Sequence, residues 1–386
     1  MSADISTAGL QTTETLYSCT SAYSVLEIMG EGCFGKVAKC VKESTKEMVA
    51  VKILKNIPGL IQDVDKEEAM LEAISTLNPD KTYLVKFYER FRYMGQTCLV
   101  FEMLDINLYT MIEELGTSLY VHDIRPIAHQ LLVALDALRG LGIIHSDIKP
   151  DNVMVANRKD QNVRAKLIDF GVAKKTRDVK PGLKIQPRGY RAPEVALGLP
   201  FNESIDMWGV GCILAYLYLG DHLFSYNCEY QMMSSMVKVL GMPDDELLRS
   251  GMYTRTFFTQ EGAGDGSSWR LLTPEEFKDI NGTDVKERVT DWELPSSLDD
   301  LVHDDFFKPH DQIEAAALDM MSTMEYAWLE NPVKFEKSHG INNTLDIDIV
   351  PKFDSKEEET YILIVEGFEP LIDVLNQCYF ISILYE

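Results

Sequence analysis

The sequence lacks the usual marks of a zinc-binding, secreted or membrane-spanning protein. None of its seven cysteines forms a C-x-x-C pair, which argues against a structural zinc site. The first ten residues, MSADISTAGL, contain no basic region followed by an apolar stretch, so we expect no secretory signal. No apolar run is long enough to cross a bilayer. We therefore expect free thiols, a reducing compartment and no membrane partner.

Basic residues are scarce, and the chain of 386 residues has a formal net charge of -24. The shortage is greatest near the end, because residues 289–386 contain five lysines, no arginine and 22 acidic residues. Nucleic-acid phosphates would meet a surface of like charge, so we expect no direct binding of nucleic acid. An acidic adaptor that acts through this tail would rest on charge alone, and a charge run is more often a solvated surface.

Strand-like runs dominate the chain before Met103, and helical spacing dominates after it. The predicted strands are Tyr23–Met29, Val37–Lys42, Glu47–Leu54, Val85–Phe91 and Thr97–Glu102, with one helix at Gln62–Ile74. Further helices are expected at Ile124–Leu138 and at the almost wholly apolar Ser204–Leu219. Residues 242–301 are predicted to be loop-rich. The pattern indicates an α+β fold with a small β-rich lobe and a larger α-helical lobe.

A glycine-rich segment fits the pattern G-x-G-x-x-G-x-V, with Gly30, Gly32, Gly35 and Val37 at its defined positions. Glycines let a backbone approach phosphate groups closely. The pattern alone is weak, since a plain hairpin turn also uses glycine. Here it lies between two strand-like runs, rather than before a helix as in a dinucleotide-binding fold. This placement favours a loop that covers the phosphates of a nucleotide.

Lys52 lies near the end of the third strand-like run, in Val49-Ala50-Val51-Lys52. A lysine there is usually a solvated charge, but after such a glycine loop it suits the α- and β-phosphates of ATP. It then needs an anionic partner on the following helix. Glu67 is the first choice and Glu68 the alternative, because they occupy different faces of that helix.

The segment Phe101-Glu102-Met103-Leu104 has the character of a linker between two lobes. Backbone groups at Glu102 and Leu104 are candidates for binding the edge of an adenine ring. Taken alone, the same residues fit an ordinary strand end nearly as well. Their interpretation therefore depends on the motifs that lie on either side of them.

The most informative pattern is D-x-K-x-x-N, formed by Asp147, Lys149 and Asn152, with Asp169 following in Asp-Phe-Gly. Phosphoryl transfer needs an acceptor for the substrate's hydroxyl proton, a cation for the phosphate and oxygen ligands for Mg²⁺. We assign these roles to Asp147, to Lys149, and to Asn152 with Asp169, respectively. Turn-capping Asp and Asn are the plain alternative. That alternative does not easily explain four such residues beside apolar strands.

Together these motifs resemble the homeodomain-interacting protein kinases, which are cousins of the dual-specificity tyrosine-regulated kinases. The residues that carry the resemblance are Cys98–Leu104, His145–Asp147, Tyr190–Glu194 and Ala196–Phe201. The resemblance implies a bilobal protein kinase fold and phosphorylation of Ser or Thr, often before proline, with ATP and Mg²⁺. It also implies protein substrates among transcription regulators, in the nucleus or the cytoplasm. Arg188 and Arg191 either form a substrate pocket or fix the loop backbone, and the resemblance assigns the preference for proline to Arg191.

The expected organisation follows from this resemblance. We expect a flexible arm at residues 1–23, a small lobe with the linker at 24–104, and a large lobe at 105–328 that diverges after about residue 301. An acidic, divergent segment occupies 329–386, and the protein is expected to be a monomer.

Two positions depart from the family pattern. Ser146 stands where most kinases carry an arginine, although related kinases also have a small residue there. Lys184 stands where the family autophosphorylates a tyrosine. A lysine cannot carry that phosphate, and we expect its charge to repel Arg188 and Arg191. Our hypothesis is that activity does not depend on tyrosine phosphorylation of this loop.

Two function classes remain open at this point. The presence of every residue that the chemistry needs favours an active Ser/Thr kinase. The altered loop favours a pseudokinase or scaffold that keeps the fold with little turnover. So does the absence of any arginine after Arg288 that could pair with Glu194.

Overall fold

The computed structural model describes residues 14–285 apart from 33–34, 56–60, 161–162 and 263–267. For residues 61–66 it describes the backbone but not the side chains. The predicted segment 329–386 and the end of the predicted large lobe, 105–328, lie outside the described residues. The residues after Arg288, where the sequence has no arginine to pair with Glu194, also lie outside the described residues.

The described part of the small lobe contains a six-stranded antiparallel sheet in the order β1-β2-β3-β4-β6-β5. Its strands are β1 (Thr15–Tyr17), β2 (Ala22–Glu31), β3 (Gly35–Lys42), β4 (Glu47–Leu54), β5 (Phe87–Tyr93) and β6 (Gln96–Glu102). Helix α1 (Ile61–Ile74) and the short helix α2 (Pro79–Thr82) lie between β4 and β5. The five predicted strands and the predicted helix are confirmed, with ends that move by one or two residues.

The predicted flexible arm, residues 1–23, is wrong at its end. Residues 15–17 form strand β1, which pairs with β2 in the register Leu16 opposite Tyr23. Both of these side chains are fully buried. Tyr17 points outward and is 63% exposed. The burial of one apolar side chain on the inner face explains why this short strand adds to the sheet.

Alternation along strand β4 divides the small lobe into two faces. Val49, Val51 and Ile53 are buried in a cluster on one face of the sheet. Lys52 therefore points to the opposite face. Helix α1 packs on that opposite face through Met70, among other buried residues. The sheet thus holds Lys52 toward the helix that carries its predicted partner.

The large lobe is mainly helical and is built around one buried helix. Its helices are α3 (Leu108–Leu115), α4 (Val121–Gly140), α5 (Pro193–Leu197), α6 (Ser204–Leu219), α7 (Glu229–Leu240), α8 (Asp245–Ser250), α9 (Thr254–Phe257) and α10 (Pro274–Asn281). Most residues of α6 are buried, which confirms the predicted buried helix.

Short strands of the large lobe place the catalytic motifs. They are β7 (Ile106–Asn107), β8 (Ile143–Ile144), β9 (Val153–Val155), β10 (Ala165–Leu167), β11 (Lys174–Lys175), β12 (Phe258–Glu261) and β13 (Ser268–Leu271). The motif D-x-K-x-x-N connects β8 to β9, and Asp169 follows β10. Because β9 and β10 are paired antiparallel, the end of β10 lies beside the start of β9. The two motifs therefore meet.

The prediction of a loop-rich stretch at 242–301 is wrong for its described part. This region contains α8, α9, α10 and the hairpin formed by β12 and β13. Thr273 and Glu276 form a capping box at the start of α10, and Pro274 occupies its first turn. The spacing T-x-x-E with proline at the first helical position is a helix-start signal that the sequence carries.

The predicted α+β fold, with a small β-rich lobe and a larger helical lobe, is confirmed. The segment between β6 and β7 joins the two lobes, and it contains Leu104, which is buried. Within the described residues, the structure contains no helix with the length and apolar character that a membrane crossing requires.

Candidate active site

The glycine loop and Lys52 lie in one cross-strand row. Gly30 is opposite Val37, and Val37 is opposite Lys52. A side chain at Gly35 would begin 2.2 Å from the backbone oxygen of Ile53, so close approach of two strands requires glycine there. Among the described residues, no atom lies within 4 Å of the corresponding points at Gly30 and Gly32. These two positions face open space, where a phosphate could approach the backbone.

Lys52 contacts two carboxylates at once. Its Nζ donates to Glu67 Oε1 at 2.7 Å and to Asp169 Oδ1 at 2.9 Å. The alternative partner, Glu68, forms an ion pair with Arg90 of β5 instead. The structure thus brings Lys52, Glu67 and Asp169 together from β4, α1 and the segment after β10.

The electrostatics of this triad keep Lys52 charged. Burial favours neutral Lys52, but Asp169 and Glu67 outweigh it and raise the pKa of the ammonium group. Burial raises the pKa of Glu67, and Lys52 partly offsets this. Burial would also raise the pKa of Asp169, but Lys52 and a hydrogen bond from the Gly171 N–H lower it. Asp169 is therefore the more firmly ionised of the two carboxylates.

Two predicted site side chains, those of Lys149 and Asn152, converge on the Asp147 carboxylate. Lys149 Nζ lies 3.0 Å from Asp147 Oδ2. The side-chain amide nitrogen of Asn152 donates to the same Oδ2 at 2.6 Å and to the backbone oxygen of Asp147 at 2.8 Å. The amide nitrogen therefore fixes Asn152 and turns its carbonyl oxygen away from Asp147.

Asp206, in the first turn of α6, holds the backbone of the two residues that precede Asp147 in the chain. It accepts hydrogen bonds from the N–H groups of His145 at 2.6 Å and Ser146 at 2.8 Å. Ser146 has a φ of 62°, a left-handed conformation that a serine seldom adopts unaided. Burial raises the pKa of Asp206 to about 7. The Ser146 hydroxyl donates to the Val172 oxygen at 2.9 Å, which ties this turn to the segment after Asp169.

His145 stabilises the turn that carries Asp169. Its Nε2 lies 2.9 Å from the backbone oxygen of Ile168, and its ring packs edge-on against Phe170. Burial lowers the pKa of His145, so the neutral imidazole is favoured. Asp169 itself has a φ of 62°. The contacts from His145 thus support a strained residue at the centre of the site.

The linker between the lobes is fixed by an ion pair that the sequence did not predict. Lys166 Nζ lies 2.6 and 2.9 Å from the two carboxylate oxygens of Glu102, and Lys166 is only 3% exposed. The Glu102 carboxylate also accepts from the Lys86 N–H at 2.6 Å. Because Lys166 belongs to β10, this pair connects the linker to the large lobe. The sequence feature that indicates such a pair is a single charged residue, Lys166, between the apolar residues Ala165 and Leu167 of a strand.

A cavity of about 420 Å³ opens beside Lys149. Arg188 and Asp151 also line it, and the Arg188 Nη1 donates to the backbone oxygen of Asn227 at 3.1 Å. Arg191 is not among the residues that line it. The two predicted pocket residues therefore have different surroundings, with Arg188 at the cavity and Arg191 turned toward the loop.

The expected repulsion between Lys184 and Arg191 is wrong, because a carboxylate lies between them. Glu229 Oε1 lies 3.1 Å from Arg191 Nη1, and Oε2 lies 3.7 Å from Lys184 Nζ. No motif in the sequence indicated Glu229, which is distant from the loop along the chain.

The donor set fits a Mg²⁺ ion at Asn152 and Asp169. Both offer hard oxygen atoms, and Asp169 remains 38% exposed although Lys52 occupies one side of it. Among the residues that the structure describes, no group of three or more His, Cys, Asp or Glu is placed to hold a metal ion. Ligation by two residues suits an ion that also binds nucleotide phosphates.

Comparison with known proteins agrees with this geometry. The protein kinase domain model matches residues 23–256. Homeodomain-interacting protein kinase 1 of Mus musculus is 44% identical over 275 residues, which cover 71% of this chain and 23% of that protein. The protein of the same name from Caenorhabditis elegans is 39% identical over 287 residues, which cover 72% and 34%. Homeodomain-interacting protein kinase 4 of Homo sapiens is 37% identical over 268 residues, which cover 68% and 43%.

The chain spans less than half of the length of these relatives. The kinase domain model nevertheless covers more than half of the chain, and it includes both the glycine loop and the motif around Asp147. The chain therefore belongs to the protein kinase family and, within it, to the homeodomain-interacting protein kinases.

Proposed function

We propose that the chain is an active protein kinase that transfers the γ-phosphate of ATP to serine or threonine side chains of proteins. The observation that carries this proposal is the double contact of Lys52 with Glu67 and Asp169, at 2.7 and 2.9 Å. It joins the strand, the helix and the metal-binding segment that a kinase must bring together for turnover.

Each side chain at the site has a role in this proposal. Lys52 binds the α- and β-phosphates. Asp147 orients the substrate hydroxyl and accepts its proton, while Lys149, 3.0 Å from that carboxylate, offsets charge on the transferred phosphate. Asn152 and Asp169 would hold Mg²⁺, which neutralises phosphate charge when bound.

Transfer of radiolabel from ATP to a generic protein substrate tests the proposal. We expect Asp147→Asn to remove nearly all transfer, a loss of at least about 10²-fold. Asp136→Asn is the matched control, because Asp136 is exposed on α4 and its described contact is with Arg139. Equal labelling by the Asp147 variant and the control would exclude this site as the source of activity.

The alternative is a pseudokinase that keeps the fold without turnover. Among the described residues, the contacts of Lys52 with Glu67 and Asp169 and of Asn152 with Asp147 support the enzyme over this alternative. A complete lack of transfer by the folded, unaltered protein, combined with saturable ATP binding, would support the pseudokinase instead.

We further propose that the substrates include transcription regulators, in the nucleus or the cytoplasm. Support comes from the names of the relatives, which describe them as homeodomain-interacting. A preference for proline after the target residue is proposed for the pocket shaped by Arg191, which holds the loop backbone at Ile185 and Gln186. A peptide library with a fixed Ser or Thr would measure both the Ser/Thr preference and the proline preference.

A further inference from the structure

Glu229 occupies an unusual position between two cations of one loop. It is the first residue of α7, and its two carboxylate oxygens face Arg191 at 3.1 Å and Lys184 at 3.7 Å. The side chains of Arg191 and Glu229 are 13% and 30% exposed. The pair is thus partly withdrawn from water, where an ion pair is worth more than on an open surface.

The rest of the Arg191 guanidinium holds the loop backbone. Its Nε donates to the oxygen of Ile185 at 2.9 Å, and its Nη2 donates to the oxygen of Gln186 at 3.0 Å. Gln186 has a φ of 68°, and its side chain bonds the backbone of Ile205 and Ala192. Arg191 therefore fixes a strained turn, and Glu229 fixes Arg191.

The other side of the loop is also tied to the large lobe. The Lys184 Nζ lies 4.9 Å from the centre of the Tyr253 ring, within the range of a cation–π contact. The Tyr253 hydroxyl donates to the Gly182 oxygen at 2.7 Å. Residues 182–191, here named the loop clamp segment, are thus held near both ends.

The described part of the loop has no accessible hydroxyl group that could carry a phosphate and hold the loop clamp segment in place of Glu229. Between Asp169 and Glu194 the sequence has only Thr176 and Tyr190 with hydroxyl groups. The Thr176 oxygen is buried. Tyr190 is 5% exposed, and its hydroxyl is 2.9 Å from the Nδ1 of His222.

We propose that Glu229 is a positioning residue that holds the loop clamp segment in its substrate-binding arrangement without phosphorylation. The segment contains Pro187 and Arg188, which line the cavity beside Lys149. Loss of the clamp should therefore weaken binding of the protein substrate and leave ATP binding unchanged. This inference rests on the proposed kinase function.

The test uses the full chain, made with a co-expressed phosphatase and shown by intact mass to carry no phosphate. KM and kcat are measured with ATP and with myelin basic protein. We expect Glu229→Gln to raise the KM for the protein substrate at least about fivefold, with the KM for ATP unchanged. Glu229→Asp should restore part of the loss. Exposed Glu246, on α8, supplies the control Glu246→Gln.

Lys184→Ala is a second test of the clamp, because it removes one contact of Glu229 and leaves the pair of Glu229 with Arg191 in place. We expect a rise of about twofold in the same KM, while Lys180→Ala, an exposed lysine of the same loop, should behave like the unaltered protein. The double variant of Lys184 and Glu229 should resemble Glu229→Gln alone, because both changes act on one network.

Two results would overturn the inference while leaving the kinase function in place. One is a phosphate-free protein that gains activity only after its loop is phosphorylated. The other is a KM for the protein substrate that Glu229→Gln and Lys184→Ala leave equal to the controls. Absence of transfer that depends on Asp147 would instead overturn the proposed function itself.

Discussion

Replacement of Lys52 by methionine should destabilise the protein in a pH-dependent way. The change leaves buried Glu67 beside partly exposed Asp169 without the ammonium group that now contacts both. Removing one partner of a buried ion pair costs about 3–5 kcal/mol. Protonation of Glu67 sets an upper limit on this loss of stability. Holding a carboxyl of ordinary pKa 4.5 neutral at pH 7.5 costs about 4 kcal/mol. We therefore expect a loss of about 3–4 kcal/mol at pH 7.5.

The sign of the pH dependence follows from proton uptake. In the variant, the folded-state pKa of Glu67 lies above its unfolded value, so between these two values the folded state binds more protons. The free energy of unfolding then falls as pH rises through this window, by up to about 1.4 kcal/mol per pH unit. At pH 5.5 the loss relative to the unaltered protein should shrink to at most about 1.4 kcal/mol.

Thermal melting at the two pH values measures this effect. For a domain of this size each kcal/mol corresponds to about 2–4 °C, so the melting temperature should fall by about 6–16 °C at pH 7.5. Lys55→Met is the matched control, since Lys55 is three residues away and pairs with Glu31 at the surface. It should melt close to the unaltered protein. A Lys52→Met variant that melts like this control, or a deficit that is the same at pH 5.5, would refute the reasoning.

Three further changes test the packing of the site. Gly35→Ala should lower the melting temperature, because its Cβ would lie 2.2 Å from a backbone oxygen, whereas Gly30→Ala, with nothing within 4 Å, should keep stability and raise the KM for ATP. Equal melting of these two variants would contradict this. Asp206→Ala should cost about 2–6 kcal/mol in urea unfolding and most of the transfer activity, because two buried N–H groups lose their acceptor. Lys166→Met should cost about 3 kcal/mol by leaving Glu102 without its cation, and an unchanged urea midpoint would refute this.

The residues that perform chemistry could be predicted because chemistry dictates their types and local order. Lys52 follows a period of two along β4, which places it opposite the buried Val51. Glu67 and Glu68 occupy different faces of their helix, so only one can meet Lys52, and the structure shows Glu68 paired with Arg90. The start of α10 at Thr273 is equally predictable, because the spacing T-x-x-E of its capping box is visible in the sequence.

The contacts that hold these residues could not be predicted, because they join distant parts of the chain. Lys166 and Glu102 are 64 residues apart, and Arg191 and Glu229 are 38 apart. No periodicity relates such positions, and each charged residue alone fits a solvated surface. Their pairing depends on how β10 meets the linker and how α7 meets the loop, which is decided by the packing of whole elements.

In the proposed clamp, the Glu229 carboxylate replaces the loop phosphate of the family pattern. This replacement accounts for the different contacts of Arg191 and Arg188. A phosphate carries a charge near -2 and three acceptor oxygens, enough to engage more than one guanidinium group. Glu229 carries one charge, and the N-terminus of α7 further favours an anion at that place. It engages Arg191 and, more distantly, Lys184. Arg188 has no ion pair among the described residues and instead lies exposed at the cavity, in a position to meet substrate. One fixed carboxylate thus orders the loop and leaves the second arginine to the cavity.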